Sequence, residues 1–285
     1  MTNAPSLLGA RRLREVLDRH GARPRKAWGQ HFVVDPNTIR KLVSLAELSP
    51  SDTVVEVGAG AGSLTLGLAA EAGRVIALEI DPLLIPVLEE VAGDVPNVRV
   101  QRADALETDL GALGAHAMVG NLPYNIASVL VLKTLEEAPG IERLTVMTQK
   151  EVGERLAATP GTKTYGATSV MVACAADASI VSRVARNAFY PLPRVDSVVV
   201  SIRRRRVPGD AALLRPVVRA AFGQRRKSLR NVLSALAGDA GAAEAALRDA
   251  GVEPRARAEE LTVQDFLALA RALSSSQAHR AINAE

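Results

Sequence analysis

Residues suited to binding a small molecule occur at three places in the first half of the chain. The segment VVEVGAGAGSLT carries Gly58, Gly60 and Gly62, and glycines between a strand and a helix let the backbone approach a ligand closely. Glu79 and Asp104 each follow an apolar segment. A carboxylate at the first position can accept hydrogen bonds from both hydroxyls of a ribose, and one at the second from the exocyclic amine of adenine.

The spacing of the glycines narrows the choice of ligand. It is G-x-G-x-G, whereas dinucleotide-binding folds carry G-x-G-x-x-G, so a nucleotide-like ligand without a pyrophosphate is favoured. Two plainer interpretations stay open: the glycines form only a tight turn, and Asp104 only caps the segment that follows it. The three features in this order are more specific than any one of them.

A parallel sheet would bring these positions together. Short valine-rich segments predict strands that alternate with helical patterns, which implies parallel βαβ units in an open α/β sheet. Ligands of such sheets bind beyond the carboxyl ends of the strands. The predicted strands are 53–58, 74–80, 98–103, 117–120 and 144–147, and the predicted helices are 64–70, 81–91, 126–137 and 149–158.

The later part of the chain has a different pattern. Residues 169–175 and 197–203 are predicted to form strands that end the sheet as an antiparallel pair. After Pro208 apolar residues recur with a spacing near ~3.6, as in amphipathic helices. We therefore predict a ligand-binding domain over residues 1–207, a helical domain over 208–274 and a disordered tail over 275–285.

The ordered motifs resemble the S-adenosylmethionine-dependent methyltransferases of the seven-stranded Rossmann-like class. NLPY at 121–124 is similar to the motif that RNA adenine-N6 methyltransferases carry after their fourth strand. The resemblance implies an α/β, Rossmann-like methyltransferase domain and S-adenosylmethionine as the cofactor. It assigns cofactor binding to Gly58, Gly60, Glu79, Asp104 and Asn121.

Methyl transfer to adenine explains the residue types of the NLPY motif. The exocyclic nitrogen is a poor nucleophile because its lone pair is delocalised into the ring. The side-chain oxygen of Asn121 and the carbonyl of Leu122 or Pro123 can accept its N–H bonds and direct the lone pair at the methyl group. Tyr124 offers a face on which the base stacks, worth roughly 1–3 kcal/mol. The alternative is a capped strand end with a tyrosine in the core.

Two more segments resemble the ribosomal RNA adenine dimethylase family. GQHFVVDPN is similar to the G-Q-N-F-L-x-D segment that packs over the methionine end of the cofactor. His31 replaces the usual asparagine there and Val33 the usual leucine, and backbone contacts to the cofactor would survive both changes. NAFYPLPRVDSVVVSI is similar to the family's F-x-P-x-P-x-V-x-S segment. It implies that Phe189 stacks on the flipped adenine opposite Tyr124; a buried core aromatic is the alternative.

A basic segment, AFGQRRKSLRNVLSAL, resembles the element that opens the helical domain of this family. The resemblance implies that the helical domain binds RNA through Arg225, Arg226, Lys227 and Arg230, unless these residues form salt bridges within the domain. It points to the small-subunit branch, whose members dimethylate two adjacent adenosines in a hairpin near the 3′ end of small-subunit (16S) rRNA. The expected partner is that rRNA, or the immature small ribosomal subunit.

Three other functions deserve comparison. A large-subunit rRNA adenine methyltransferase of the macrolide-resistance type shares the fold and the chemistry, but NLPY and RRKSLRN favour the small-subunit enzyme. A non-catalytic assembly factor would not need Glu79, Asp104 and Asn121 intact. A DNA adenine methyltransferase would carry a target-recognition insert, and the sequence shows none.

The composition excludes several classes of protein. The chain of 285 residues has a net charge of +4 and one cysteine, which cannot form an internal disulfide. No apolar run approaches the roughly 18 residues of a membrane span, and the N-terminus lacks the apolar core of a signal peptide. The four histidines are scattered, so we expect no metal. These features predict a cytoplasmic protein without a membrane partner. We expect it to be a monomer.

Overall fold

The structure is a computed structural model that describes residues 7–25, 28–207, 211–224 and 227–282, without the side chains of Tyr124 and of residues 276–282. The strands are β1 (Phe32–Val33), β2 (Thr53–Val57), β3 (Arg74–Glu79), β4 (Val98–Arg102), β5 (Ala117–Asn121), β6 (Arg143–Gln149), β7 (Ala176–Val184), β8 (Phe189–Tyr190) and β9 (Ser197–Arg204). The helices are α1 (Ala10–Arg19), α2 (Pro36–Leu45), α3 (Ser63–Ala69), α4 (Ile85–Ala92), α5 (Tyr124–Glu137), α6 (Lys150–Leu156), α7 (Ala167–Ala175), α8 (Leu214–Gly223), α9 (Leu229–Ala237), α10 (Ala240–Asp249) and α11 (Val263–Ile282).

The contacts divide the chain into two units. The first comprises Met1–Glu154 and Asp177–Arg204, and the second comprises Arg155–Ala176 and Arg205–Glu285. Residues 155–176 therefore cluster with the helices that follow residue 205, whereas the sequence places them in the first domain.

A seven-stranded sheet forms the centre of the first unit, with the strand order β4-β3-β2-β5-β6-β9-β7. Strands β2 to β6 pair in parallel, and β9 runs antiparallel to β6. Largely apolar sequences suit β2 and β5, which are buried along nearly their whole length, because a parallel sheet is covered on both faces. The carboxyl ends of β2, β3, β4 and β5 meet at one edge. The predicted Rossmann-like α/β sheet is thus confirmed.

One predicted strand is wrong. Residues 169–175 belong to helix α7, and the strand that pairs with β9 at the edge of the sheet is β7, Ala176–Val184. Val170 and Cys174, four residues apart, lie on one face of α7 and are buried in the core of the second unit. A short apolar run such as SVMVACA fits a strand and a buried helix equally well, so its periodicity could not decide between them.

The second unit is helical and has an aromatic core. The rings of Tyr165 and Phe222 lie 6.1 Å apart between centroids, and those of Phe222 and Phe266 lie 5.8 Å apart. The Tyr165 hydroxyl donates to the carbonyl of Leu261 at 2.9 Å, which satisfies the polar end of a buried ring. Helix α11 continues to Ile282, beyond Ser274, where the sequence predicts that the helical domain ends. None of the helices described is both long and apolar enough to cross a membrane.

Arg204, the last residue of β9, holds the carboxyl end of α5. Its guanidinium donates hydrogen bonds of 2.7–3.0 Å to the carbonyl oxygens of Thr134, Leu135, Ala138 and Ile141. A cation suits this place because the carboxyl end of a helix carries unpaired carbonyls and a partial negative charge. The contact joins the last strand of the chain's first unit to the helix that follows the NLPY motif.

Replacing Arg204 by methionine is expected to lower the free energy of unfolding by roughly 2–3 kcal/mol, because four carbonyls lose a charged donor. Arg203→Met is the matched control, since Arg203 is exposed and pairs with Glu47 on the surface. Such a surface pair contributes about 0–1 kcal/mol. Urea unfolding curves measure both variants, and equal midpoints would contradict the assigned role of Arg204.

Candidate active site

A cavity of about 430 Å³ lies at the carboxyl edge of the parallel strands in the first unit. Its walls come from the loops after β2, β3, β4 and β5 and from the segment around β1. Every residue predicted to bind the cofactor lines it: His31, Val33, Gly58, Gly60, Glu79, Asp104 and Asn121. Residues that are distant in the sequence thus share one site.

The glycine-rich loop after β2 adopts a conformation that favours glycine. Gly60 has a φ of 59°, and a Cβ at this position would lie 3.0 Å from the ring of Phe32. Backbone conformation and space therefore both exclude a larger residue. The Gly60 N–H donates to Oε2 of Glu79 at 2.7 Å, which ties the loop to the end of β3.

Glu79 is buried at the end of β3, and both of its carboxylate oxygens accept hydrogen bonds. Oε2 accepts from Gly60, and Oε1 accepts from the N–H of Asp81 at 2.9 Å. Burial raises the pKa of Glu79, and the backbone donors oppose this rise. Because a carboxylate has about four acceptor positions, Glu79 retains the capacity to accept two hydroxyl groups from a ligand.

The position of Asp104 is compatible with both roles that the sequence left open. Its Oδ1 accepts from the N–H of Leu106 at 2.8 Å, so the carboxylate caps the turn after β4. The residue also lines the cavity. Capping by one oxygen leaves the second available to an amine.

Two buried polar residues of the site were missed from the sequence. Glu56 lines the cavity, and its Oε2 accepts from the hydroxyl of Thr65 at 2.6 Å. Burial, opposed by this hydrogen bond and assisted by the neighbouring Glu79, raises the pKa of Glu56 to about 8. Ser63 also lines the cavity, and its buried hydroxyl has no hydrogen-bond partner among the described residues. The acid inside the run VVEVG was the available signal, since unpaired acids are rarely buried without a function.

Asn121 ends β5 and is held by the segment that precedes β1. Its Nδ2 donates to the carbonyl of His31 at 2.7 Å, which orients the amide and leaves Oδ1 as an acceptor. The ring of His31 lies with Nδ1 2.7 Å from the carbonyl oxygen of Pro191. A carbonyl oxygen can only accept, so Nδ1 carries the proton. His31 therefore links Pro191 to Asn121: its ring contacts the Pro191 carbonyl, and its own carbonyl accepts from Asn121.

The other residues predicted to contact the adenine are Leu122, Pro123, Tyr124 and Phe189, and the side chains described among them differ in exposure to the cavities. Leu122 and Phe189 line a second cavity of only about 10 Å³, which is room for one water molecule. Phe189 is buried and pairs with Val33 between β8 and β1, as the core-aromatic alternative predicts. Pro123 lines the larger cavity. Tyr124 begins α5, and its side chain lies outside what the structure describes.

The second cavity also holds a polar group that the sequence did not reveal. The Thr148 hydroxyl is buried at the end of β6 and lacks a hydrogen-bond partner among the described residues. Buried hydroxyls are normally hydrogen-bonded, so this cavity suits a small polar guest.

The predicted RNA-binding residues are only partly described. Arg225 and Arg226 lie outside the described residues. Lys227 is exposed before α9. Arg230 lies with Nε 2.8 Å from Oε2 of Glu244 on α10, so the salt bridge within the helical domain is formed at this position.

Comparison with known proteins decides the family. A family model described as "Ribosomal RNA adenine dimethylase" matches residues 21–275, a range that contains the glycine loop, both carboxylates and the NLPY turn. The chain belongs to the ribosomal RNA adenine dimethylase family. As a member of this family it is an enzyme of rRNA adenine dimethylation with a Rossmann-like methyltransferase fold.

Bacterial rRNA methyltransferases are similar to the chain over nearly its whole length. The Ribosomal RNA small subunit methyltransferase A of Streptomyces griseus is 47% identical over 279 residues, which cover 94% of this chain and 96% of that protein. Its counterpart from Thermobifida fusca is 47% identical over 267 residues, covering 90% and 93%.

Two solved structures have a similar fold. The 23S rRNA methyltransferase ErmE has a TM-score of 0.67 at 31% identity, covering 85% of this chain and 99% of that one. A dimethyladenosine transferase from Plasmodium falciparum has a TM-score of 0.75 at 24% identity, covering 87% and 98%, and shares the fold.

Proposed function

We propose that this enzyme uses S-adenosylmethionine to dimethylate the N6 amines of two adjacent adenosines in a hairpin near the 3′ end of small-subunit rRNA, during subunit assembly. The placement of Asn121 carries the proposal: its amide is oriented by His31, and its oxygen remains an acceptor at the cavity that Glu79 and Asp104 also line. The small-subunit methyltransferases of S. griseus and T. fusca, at 47% identity, support the choice of subunit.

The larger cavity fits S-adenosylmethionine. Glu79 retains acceptor capacity for the ribose hydroxyls. The hydroxyl of Ser63, which lacks a partner among the described residues, suits a polar group of the ligand. Gly60 lines the cavity without a side chain, so a ligand can approach its backbone closely. The volume of about 430 Å³ lies in the usual range for small-molecule sites. When bound, this cofactor supplies an electrophilic methyl group on a sulfonium.

The chain contributes positioning to the reaction. Asn121 Oδ1 accepts one N–H of the adenine amine and a backbone carbonyl accepts the other, so the lone pair is directed at the methyl group. The Pro123 carbonyl already accepts from Ile126 and Ala127 in the first turn of α5, which makes the Leu122 carbonyl the better second acceptor. The amine loses its proton after transfer, from the cationic product, so no general base is required.

Transfer of labelled methyl groups to unmethylated ribosomal subunits tests the proposal. We expect label on two adjacent adenosines of the small subunit after incubation with enzyme and cofactor, and none on the large subunit. Label on a large-subunit adenosine would instead favour the activity of a 23S rRNA methyltransferase. A folded protein that binds small subunits but transfers no label would indicate a non-catalytic assembly factor.

Replacing Glu79 by glutamine is expected to weaken S-adenosylmethionine binding roughly 10- to 100-fold, since it removes charge-assisted hydrogen bonds worth about 1.5–3 kcal/mol. Glu89→Gln is the matched control, because Glu89 is exposed on α4. Calorimetric titration measures both affinities, beside a thermal melt that checks folding. Wild-type affinity in a folded Glu79→Gln protein would remove Glu79 from the cofactor site.

A further inference from the structure

Trp28, the single tryptophan of the chain, stands at the wall of the larger cavity. It is 40% exposed and lines the cavity together with Pro123 and Asn125. A Cβ on Gly29 would lie 3.7 Å from the Cβ of Pro123, so this backbone packs directly on the turn that holds the acceptor groups. Tryptophan is highly buried on average, and an exposed ring beside a reactive site therefore suggests a guest.

The ring of Trp28 is held in place from one side. The Arg25 guanidinium lies 5.1 Å from its centroid, and Arg25 Nη1 lies 3.6 Å from Oδ1 of the buried Asp81. Gln30 donates to the same carboxylate at 2.8 Å, and its Oε1 accepts from the N–H of Arg25 at 2.8 Å. These contacts anchor the chain before and after Trp28, so a guest would find the ring already ordered.

We propose that Trp28 binds, by stacking, the unpaired base that neighbours the target adenosine in the RNA. This inference rests on the proposed function, in which two adjacent adenosines of one strand are modified. Stacking of a base on an aromatic side chain is worth roughly 1–3 kcal/mol and tolerates every base. It offsets part of the cost of removing the target from its stack.

The charges near Trp28 favour RNA as the guest. Arg25 lies against the ring, and Arg23 is exposed two residues earlier. Elsewhere in the first unit, the exposed Arg14 of α1 lies 4.9 Å from the centroid of the Tyr190 ring. Cations interleaved with aromatic rings suit a strand in which phosphates alternate with bases, whereas an apolar protein surface would gain nothing from them.

The fluorescence of this protein offers a direct test, because Trp28 is its only tryptophan. We expect the small-subunit hairpin RNA to quench the emission of the full chain saturated with S-adenosylmethionine. Trp28→Leu keeps an apolar side chain but removes the ring, and should raise KM for this RNA roughly 5- to 100-fold. Trp28→Phe, which keeps an aromatic ring, should have a KM for this RNA close to that of the wild type. The cofactor Kd should match the wild type in both variants.

Other outcomes would overturn the inference in recognisable ways. Unquenched emission with a wild-type KM in Trp28→Leu means that the ring touches no base. Quenching by cofactor alone, with weaker cofactor binding in Trp28→Leu, means that the ring covers the cofactor. If the wild type modifies large-subunit RNA instead, the proposed function fails. The stacking is then tested by measuring quenching and KM with that RNA for the wild type, Trp28→Leu and Trp28→Phe.

Discussion

Replacing Asn121 by alanine is expected to lower the rate of methyl transfer roughly 100- to 1000-fold, the usual effect of deleting one preorganised polar group that acts on the transition state. In the proposed mechanism its oxygen accepts from an amine that gains positive charge as the methyl group arrives, so the interaction strengthens during the reaction. Affinity for S-adenosylmethionine is expected to change little, although Asn121 lines the cofactor cavity.

Asn125→Ala is the matched control for this loss. Asn125 is exposed in the first turn of α5 and lines the same cavity, whereas only Asn121 donates to the His31 carbonyl. Rates at saturating RNA and cofactor, together with calorimetric cofactor affinities, separate the two variants. Near-normal turnover in Asn121→Ala would show that the acceptor role is misassigned. A loss of affinity as large as the loss of rate would assign the residue to the cofactor instead.

Much of the sheet and its ligand-binding edge could be predicted because each part depends on local sequence. The strands are marked by apolar segments and the β2–α3 turn by its glycines. Glu79 ends β3, and Asp104 follows the end of β4 by two residues. Parallel pairing then brings the strand ends to one edge whatever the loops do. The predicted cofactor-binding residues accordingly line one cavity.

The parts that were missed depend on contacts between distant residues. The bond from Asn121 to His31 spans 90 positions, and the bonds from Arg204 to the end of α5 span 63 to 70. No local pattern marks either contact. The helix at 167–175 forms because its apolar face is buried among later helices, which a short window cannot include. The burial of Phe189 likewise follows from its pairing with Val33.

Glu56→Gln is expected to stabilise the protein near pH 8 and to leave its stability almost unchanged near pH 5. Burial raises the pKa of Glu56 from its ordinary 4.5 to about 8. Across that interval the folded protein keeps a proton that the unfolded chain releases. The free energy of unfolding therefore falls as pH rises, by at most about 1.4 kcal/mol per pH unit and by on the order of 5 kcal/mol in total. Glutamine is neutral at every pH in this interval, so the free energy of unfolding of the variant does not fall in this way.

Urea unfolding of the cofactor-free protein at several pH values between about 5 and 8 tests the expectation. Wild type and Glu56→Gln should have similar stabilities at the acid end and diverge as pH rises, because only the wild type must bury a carboxylate next to Glu79. Glu89→Gln, on the exposed face of α4, should follow the wild type at every pH. Parallel stability curves for Glu56→Gln and wild type would mean that the cavity hydrates Glu56 in solution and that its carboxyl ionises in the ordinary range.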